Sequence, residues 1–143
     1  MSVQLLRGGC LCRAVRYECA TPIESVALCH CESCRRASGA HVVAWLTVRA
    51  AALHFTQGSP RDFASSQPVR RTFCPECGSP LTYRHQDSGD CVDVTVATLD
   101  DPSAVAPEYH VWMEDAVRWE PACDGLPRYR TSHSAAVLYK PVK

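Results

Sequence analysis

The sequence has no net charge. Its 15 lysines and arginines balance 15 aspartates and glutamates over 143 residues, so bulk electrostatics gives no pull toward nucleic acid or an anionic membrane. Lysine is almost missing: Lys140 and Lys143 are the only two, and no basic stripe interleaves with aromatics as in a nucleic-acid groove. No apolar run approaches the roughly 20 residues that span a bilayer. The first twelve residues (MSVQLLRGGCLC) hold only the apolar pair Leu5-Leu6 before two glycines, which is not the pattern of a secretory signal. A cytoplasmic protein is expected, in a reducing compartment, with no membrane and no nucleic-acid partner. Long helices are missing too. No 15-residue amphipathic stretch occurs, and ten prolines are spread along the chain, each removing an amide donor from any helix interior.

What is present is ordinary globular material, 46% apolar and 21% charged, which excludes wholesale disorder. The length suits one domain, taken as residues 1–143. The pattern is mainly β. Short apolar or alternating runs predict strands over 14–19, 42–48, 53–56, 69–73, 81–85 and 91–97. Gly58-Ser59-Pro60, Gly78-Ser79-Pro80 and Asp87-Ser88-Gly89-Asp90 separate them as turns. One or two helical turns are expected over 31–37, and another over 102–105 capped by Asp100 or Asp101. The polar segment 122–134 is expected to be a surface loop.

Ten cysteines are the outlying feature. In a reducing compartment, clustered thiols are metal ligands more often than disulfides. Seven fall in three clusters: Cys10 and Cys12; Cys29, Cys31 and Cys34; Cys74 and Cys77. The run Cys74-Pro75-Glu76-Cys77-Gly78 has the form of a zinc knuckle. Two thiolates leave one tight turn, amides of that turn donate to the sulfurs, and Gly78 permits a positive φ. A second pair from elsewhere completes a tetrahedral shell.

Seven thiols exceed one such shell and divide as four plus three. Four close a structural site, and three leave a position for water or substrate. Spacing alone does not say which pair joins Cys74 and Cys77. The compact triplet Cys29, Cys31, Cys34 is the natural three-ligand unit, which leaves Cys10 and Cys12 for the knuckle. In the competing arrangement the triplet gives two ligands to one closed site and keeps a spare thiol. Cys19 and Cys91 sit at strand positions and are expected in the core, and Cys123 beside a loop.

Together these motifs resemble the glutathione-dependent formaldehyde-activating enzyme family, also called the centromere protein V-like family. The residues that carry the resemblance are G-G-C-L-C at 8–12, C-H-C-E-S-C-R-R-A-S-G-A at 29–40 and F-C-P-E-C-G-S-P-L at 73–81. His110-Val111-Trp112, Trp119 and Asp124-Gly125-Leu126-Pro127-Arg128-Tyr129 are similar to its C-terminal signature, so the likeness covers about residues 7–130. It implies an Mss4-like fold of short antiparallel strands with zinc-binding turns. It implies two zinc ions, one structural on Cys10, Cys12, Cys74 and Cys77 and one catalytic on Cys29, Cys31 and Cys34. It also implies a carbon–sulfur lyase-type activity on thiol–aldehyde adducts, the founding reaction joining glutathione and formaldehyde into S-hydroxymethylglutathione. The alternative is a non-catalytic zinc-stabilised module that binds partners or senses thiols.

Around the triplet, Arg35 and Arg36 point in different directions on a helical turn. At most one faces the metal, where it would hold a carboxylate of a glutathione-like thiol; a solvated basic pair is the competing expectation. The solvated pair is favoured for Arg70 and Arg71. His30 lies between two ligands, which turns its ring away from their shared metal. His110 is expected as a packed or surface histidine, with a supporting role toward the metal as the sharper possibility. Trp112, Trp119 and Tyr129 are expected as core and rim aromatics, and Glu32 and Glu76 as exposed turn residues.

Overall fold

The computed structural model describes residues 2–120 and 123–133. Along the chain these form β1 (Leu5–Gly9), β2 (Arg16–Ala20), β3 (Ser25–Cys29), α1 (Glu32–Ser38), β4 (Val43–Arg49), β5 (Leu53–Gln57), β6 (Arg61–Ser66), β7 (Val69–Phe73), β8 (Pro80–His85), β9 (Cys91–Thr95) and β10 (Tyr109–Val111). The described residues are mainly β with one short α-helix, as the strand-length runs and the scattered prolines require. No helix among the described residues is long and apolar enough to cross a membrane.

The chain forms two compact units. The first comprises residues 1–25 and 46–105. In it β1, β2 and β5 make an antiparallel sheet in that order. Inward positions alternate with outward ones, so Leu6, Tyr17 and Cys19 are buried while their neighbours are not. Gly8 sits where β1 meets Tyr17: a Cβ there would lie 2.4 Å from the Tyr17 hydroxyl and 2.5 Å from the Thr98 carbonyl oxygen. The glycine pair before Cys10 is thus fixed by close approach.

In the same unit β6, β7, β8 and β9 form an antiparallel ladder in sequence order. Leu81 and Val94 are fully buried in it. Thr47 Oγ1 donates to Asp93 Oδ1 at 2.6 Å, on a carboxyl whose burial holds its pKa up. Both short cysteine pairs lie in hairpin connections of this unit. Cys10 and Cys12 occupy the β1–β2 turn, closed by the Cys10 amide on the Val15 carbonyl at 3.1 Å. Cys74 and Cys77 occupy the β7–β8 turn, closed by the Gly78 amide on the Cys74 carbonyl at 2.8 Å, with Gly78 at φ 79°.

The second unit comprises residues 26–45 and 106–143. Its β10 pairs with β3 in parallel, Val111 opposite Cys29. On its other side His110 of β10 forms a parallel bridge with Arg128. Helix α1 follows β3 after a two-residue step. Cys31 caps it, its Sγ accepting from the Cys34 amide at 3.3 Å, and Gly39 ends it in the left-handed region. Asp115 Oδ2 accepts the Glu32 amide at 3.2 Å and pins the start of the helix.

Candidate metal centres

The first unit gathers Cys10, Cys12, Cys74 and Cys77, with their sulfurs all within 4.8 Å of one another. Two of the separations are 3.6 Å (Cys10 to Cys12) and 3.7 Å (Cys12 to Cys74). A tetrahedral zinc with bonds of about 2.3 Å has sulfur–sulfur edges of about 3.8 Å, so the four thiols fit that ion. The two turns support the sulfurs. The Val15 amide donates to Cys10 Sγ at 3.3 Å. Ser79 joins the turns, its Oγ accepting the Leu11 amide at 3.0 Å and contacting Cys77 Sγ at 3.2 Å. That hydroxyl, then the Ser79 and Cys12 amides, pull the Cys77 thiol down to about 5. From sequence Ser79 is only a turn residue; its bridge to Leu11 joins positions 68 apart, beyond the reach of local pattern.

The second unit gathers Cys29, Cys31 and Cys34, likewise within 4.8 Å. Cys29 and Cys34 are buried, while Cys31 is half-buried and forms the accessible edge. Crowding divides the three thiols. Contact with Cys29, then with Cys34, pulls Cys31 down to about 2, and the reciprocal contacts push Cys29 up. Three thiolates this close repel one another unless a cation sits among them, and soft sulfur donors suit zinc. The donor set fits the ion.

A third group, His30, His110 and Glu120, is equally close; His30 Nε2, both His110 nitrogens and Glu120 are engaged with protein partners, while His30 Nδ1 is buried without a partner. His30 and His110 are 0% and 2% exposed. His110 Nε2 lies 2.6 Å from Asp124 Oδ2, and His30 Nε2 lies 2.8 Å from His110 Nδ1. A carboxylate only accepts, so His110 donates through Nε2 and offers Nδ1 to the Nε2–H of His30. Burial, then His110, hold His30 down at about 4, so it stays neutral. Glu120 accepts from Arg128 Nη1 at 3.2 Å. The backbone completes the tie, the His110 amide on the Pro127 carbonyl at 2.8 Å and the Tyr129 amide on the His110 carbonyl at 2.9 Å.

His30 therefore turns to His110, and His110 is packed. Sequence reasoning missed their pairing and the anchor Asp124, which sits in the segment expected to be loop. The ends of that segment, Ala122 and Ser134, lie outside the described residues. Cys19 is buried as expected, Cys91 is half-buried, Cys123 is exposed, and none of the three joins a cluster. Glu32 and Glu76 are exposed. Arg70 pairs with Asp62 at the surface, at 2.8 Å, while Arg71 is buried with its guanidinium 4.8 Å from the Tyr83 ring centroid. Trp119 is exposed at the rim.

Asp124→Ala would leave the buried His110 Nε2–H without its acceptor. A loss of about 1–2 kcal/mol is expected in denaturant unfolding, near the lower end for an orphaned donor because Asp124 is itself 39% exposed. In the intact protein, long-range nitrogen–proton NMR spectra are expected to find both rings protonated at Nε2.

The profile of the family described as "Glutathione-dependent formaldehyde-activating enzyme" matches residues 5–115. The chain belongs to this family. An uncharacterised lyase of Schizosaccharomyces pombe is 27% identical over 78 residues, 54% of this chain and 56% of that protein. The match thus spans little more than half the length of that curated relative. A solved structure of a Rhodobacter sphaeroides protein, 23% identical, superposes with a TM-score of 0.57 over 71% of this chain and 91% of its own. That likeness concerns the fold alone. All seven clustered cysteines of this family member lie within the matched stretch, whereas Glu120, Asp124 and Arg128 lie beyond it.

Proposed function

We propose that this protein is a zinc-dependent carbon–sulfur lyase-type enzyme acting on thiol–aldehyde adducts, with S-hydroxymethylglutathione, from glutathione and formaldehyde, as the first candidate. Membership of the family supports the lyase class. The observation that carries the proposal is the second cysteine group, which has three thiols and an accessible edge at Cys31. In this account Cys10, Cys12, Cys74 and Cys77 hold a structural zinc. Cys29, Cys31 and Cys34 hold a catalytic one and leave a position for a small thiol.

In adduct formation the sulfur–carbon bond forms as the carbonyl π bond opens, and the proton of the thiol ends on the new hydroxyl. No oxidant or reductant is needed. A zinc ion on three thiolates supplies a soft positive centre that favours the thiolate form of an incoming thiol. The chain supplies position. Cys29 and Cys34 form the buried side of the site. The Cys34 amide and the Ser33 hydroxyl, each 3.3 Å from Cys31 Sγ, hold the accessible sulfur in place. The His30 amide on the Val111 carbonyl at 3.1 Å ties the cluster's backbone to β10, and the chain from His30 through His110 to Asp124 locks that contact from the side-chain end.

The test is an exchange measurement. Carbon-13 formaldehyde and glutathione equilibrate without a catalyst, and exchange NMR reads the rate between free and adduct forms. The zinc-loaded protein is expected to raise that rate at catalytic concentration. A rate equal to the protein-free control, with glutathione and with other small thiols, would remove the enzymatic proposal and leave the binding or sensing alternative.

A further inference from the structure

Trp112 follows β10 in the left-handed region, at φ 60° and ψ 41°. A bulky side chain rarely adopts that backbone, and glycine would hold it without strain. Among the described residues every other positive-φ position except Arg13 is a glycine. Hydrogen bonds fix the turn from several sides. The Trp112 amide donates to the Thr131 carbonyl at 2.9 Å, the Met113 amide to the Tyr129 carbonyl at 3.1 Å and the Asp115 amide to the Trp112 carbonyl at 3.1 Å. Strain held in place by its surroundings, where glycine would fit, points to a use for the side chain.

The turn adjoins the three-cysteine group. The His30 amide donates to the Val111 carbonyl at 3.1 Å, and Asp115 Oδ2 accepts the Glu32 amide at 3.2 Å. These bonds tie the residues on either side of Cys31 to the two ends of the run 111–115, so Trp112 stands beside the half-buried cysteine. Within the turn Met113 is buried, Glu114 pairs with Arg130 at 3.0 Å and Asp115 holds the helix. The indole is 36% exposed and is the apolar surface the turn offers.

We infer that Trp112 is a specificity-determining residue of the thiol site, its indole packing on the organic group that the incoming sulfur carries. The inference rests on Cys29, Cys31 and Cys34 being that site. A thiol held there by its sulfur extends its first carbons past the accessible edge at Cys31, where an indole favours an apolar or aromatic group over a hydroxylated one. The substrate class is then an adduct whose thiol is uncharged and apolar next to its sulfur.

Two uncharged thiols that differ in this respect, phenylmethanethiol and 2-mercaptoethanol, test it by calorimetry on the zinc-loaded protein. Phenylmethanethiol is expected to bind at least about tenfold more tightly. The preference should fall below about threefold in Trp112→Gly, which suits the backbone of the turn, and be largely kept in Trp112→Phe. On the unaltered protein the Trp112 indole N–H resonance, assigned by its loss in Trp112→Phe, should move as phenylmethanethiol saturates. That signal keeps the test decisive if the glycine variant does not fold. Three results overturn the inference and leave the thiol site standing: equal binding of the two thiols to the unaltered protein, a preference that survives in a folded Trp112→Gly protein, or an indole resonance that stays still as phenylmethanethiol binds. Binding of neither thiol, with a zinc shell that no thiol alters, removes the thiol site itself and the inference with it.

Discussion

Cys31→Ser is expected to lower bound zinc from about two ions per chain to about one and to leave the fold intact. Cys31 is the half-buried member of its group, so serine at this edge disturbs little packing. Its sulfur also caps α1, and a serine hydroxyl is a good cap in its own right. Thermal unfolding should therefore change by only a few degrees. Activity should not survive. Removing groups that merely orient a metal ligand costs about 10–100-fold, so losing a ligand should slow adduct exchange by at least about a hundredfold. Metal analysis, circular dichroism and the exchange rate on one preparation check all three parts. A variant that keeps both zinc ions would show that Cys31 is not a ligand, whereas a single zinc that Cys31→Ser does not disturb would rule out the two-site arrangement.

Cys74→Ser should behave in the opposite way. Cys74 is fully buried and sits in the turn that joins β7 to β8. Structural zinc in small domains contributes about 10–16 kcal/mol of apparent binding energy, comparable to the whole stability of about 5–15 kcal/mol of a typical domain. The β1–β2 and β7–β8 turns meet through these sulfurs and one serine bridge. With one ligand gone, the expected result is insoluble protein, or soluble protein with one zinc and no cooperative unfolding transition for the first unit. Strong chelation of the intact protein should reproduce it. A soluble Cys74→Ser protein with normal melting and two zinc ions would refute the structural assignment.

The contrast between these two cysteines was partly legible in the sequence. Short spacings revealed the clusters, because two ligands from one turn leave a local signature. The runs at 42–48, 69–73 and 91–97 betrayed β4, β7 and β9, because their apolar side chains face a core. The runs at 14–19, 53–56 and 81–85 likewise fall on β2, β5 and β8, whereas β1, β3, β6 and β10 lie outside every such run. β6 is exposed at every position, so nothing selects apolar residues along it. β1 ends in two glycines that close approach demands, and β10 has three residues, too few for periodicity. The union of His30, His110 and Asp124 was illegible for a different reason. The two histidines are 80 positions apart, and a hydrogen-bonded chain leaves no spacing rule. Arg35 shows in the sequence only as half of a basic pair; that its Nε is buried without a partner is a property of the fold.

Zinc held by Cys29, Cys31 and Cys34 would leave its fourth position to a substrate thiol. X-ray absorption at the zinc edge tests it directly on the two-zinc protein. Without thiol the average shell should hold about 3.5 sulfurs and a light-atom contribution, the mean of a closed and an open site. Saturating glutathione should raise this to about four sulfurs and remove the light atom, with no such change in Cys31→Ser. A shell that stays the same with glutathione and with every other small thiol would contradict the account.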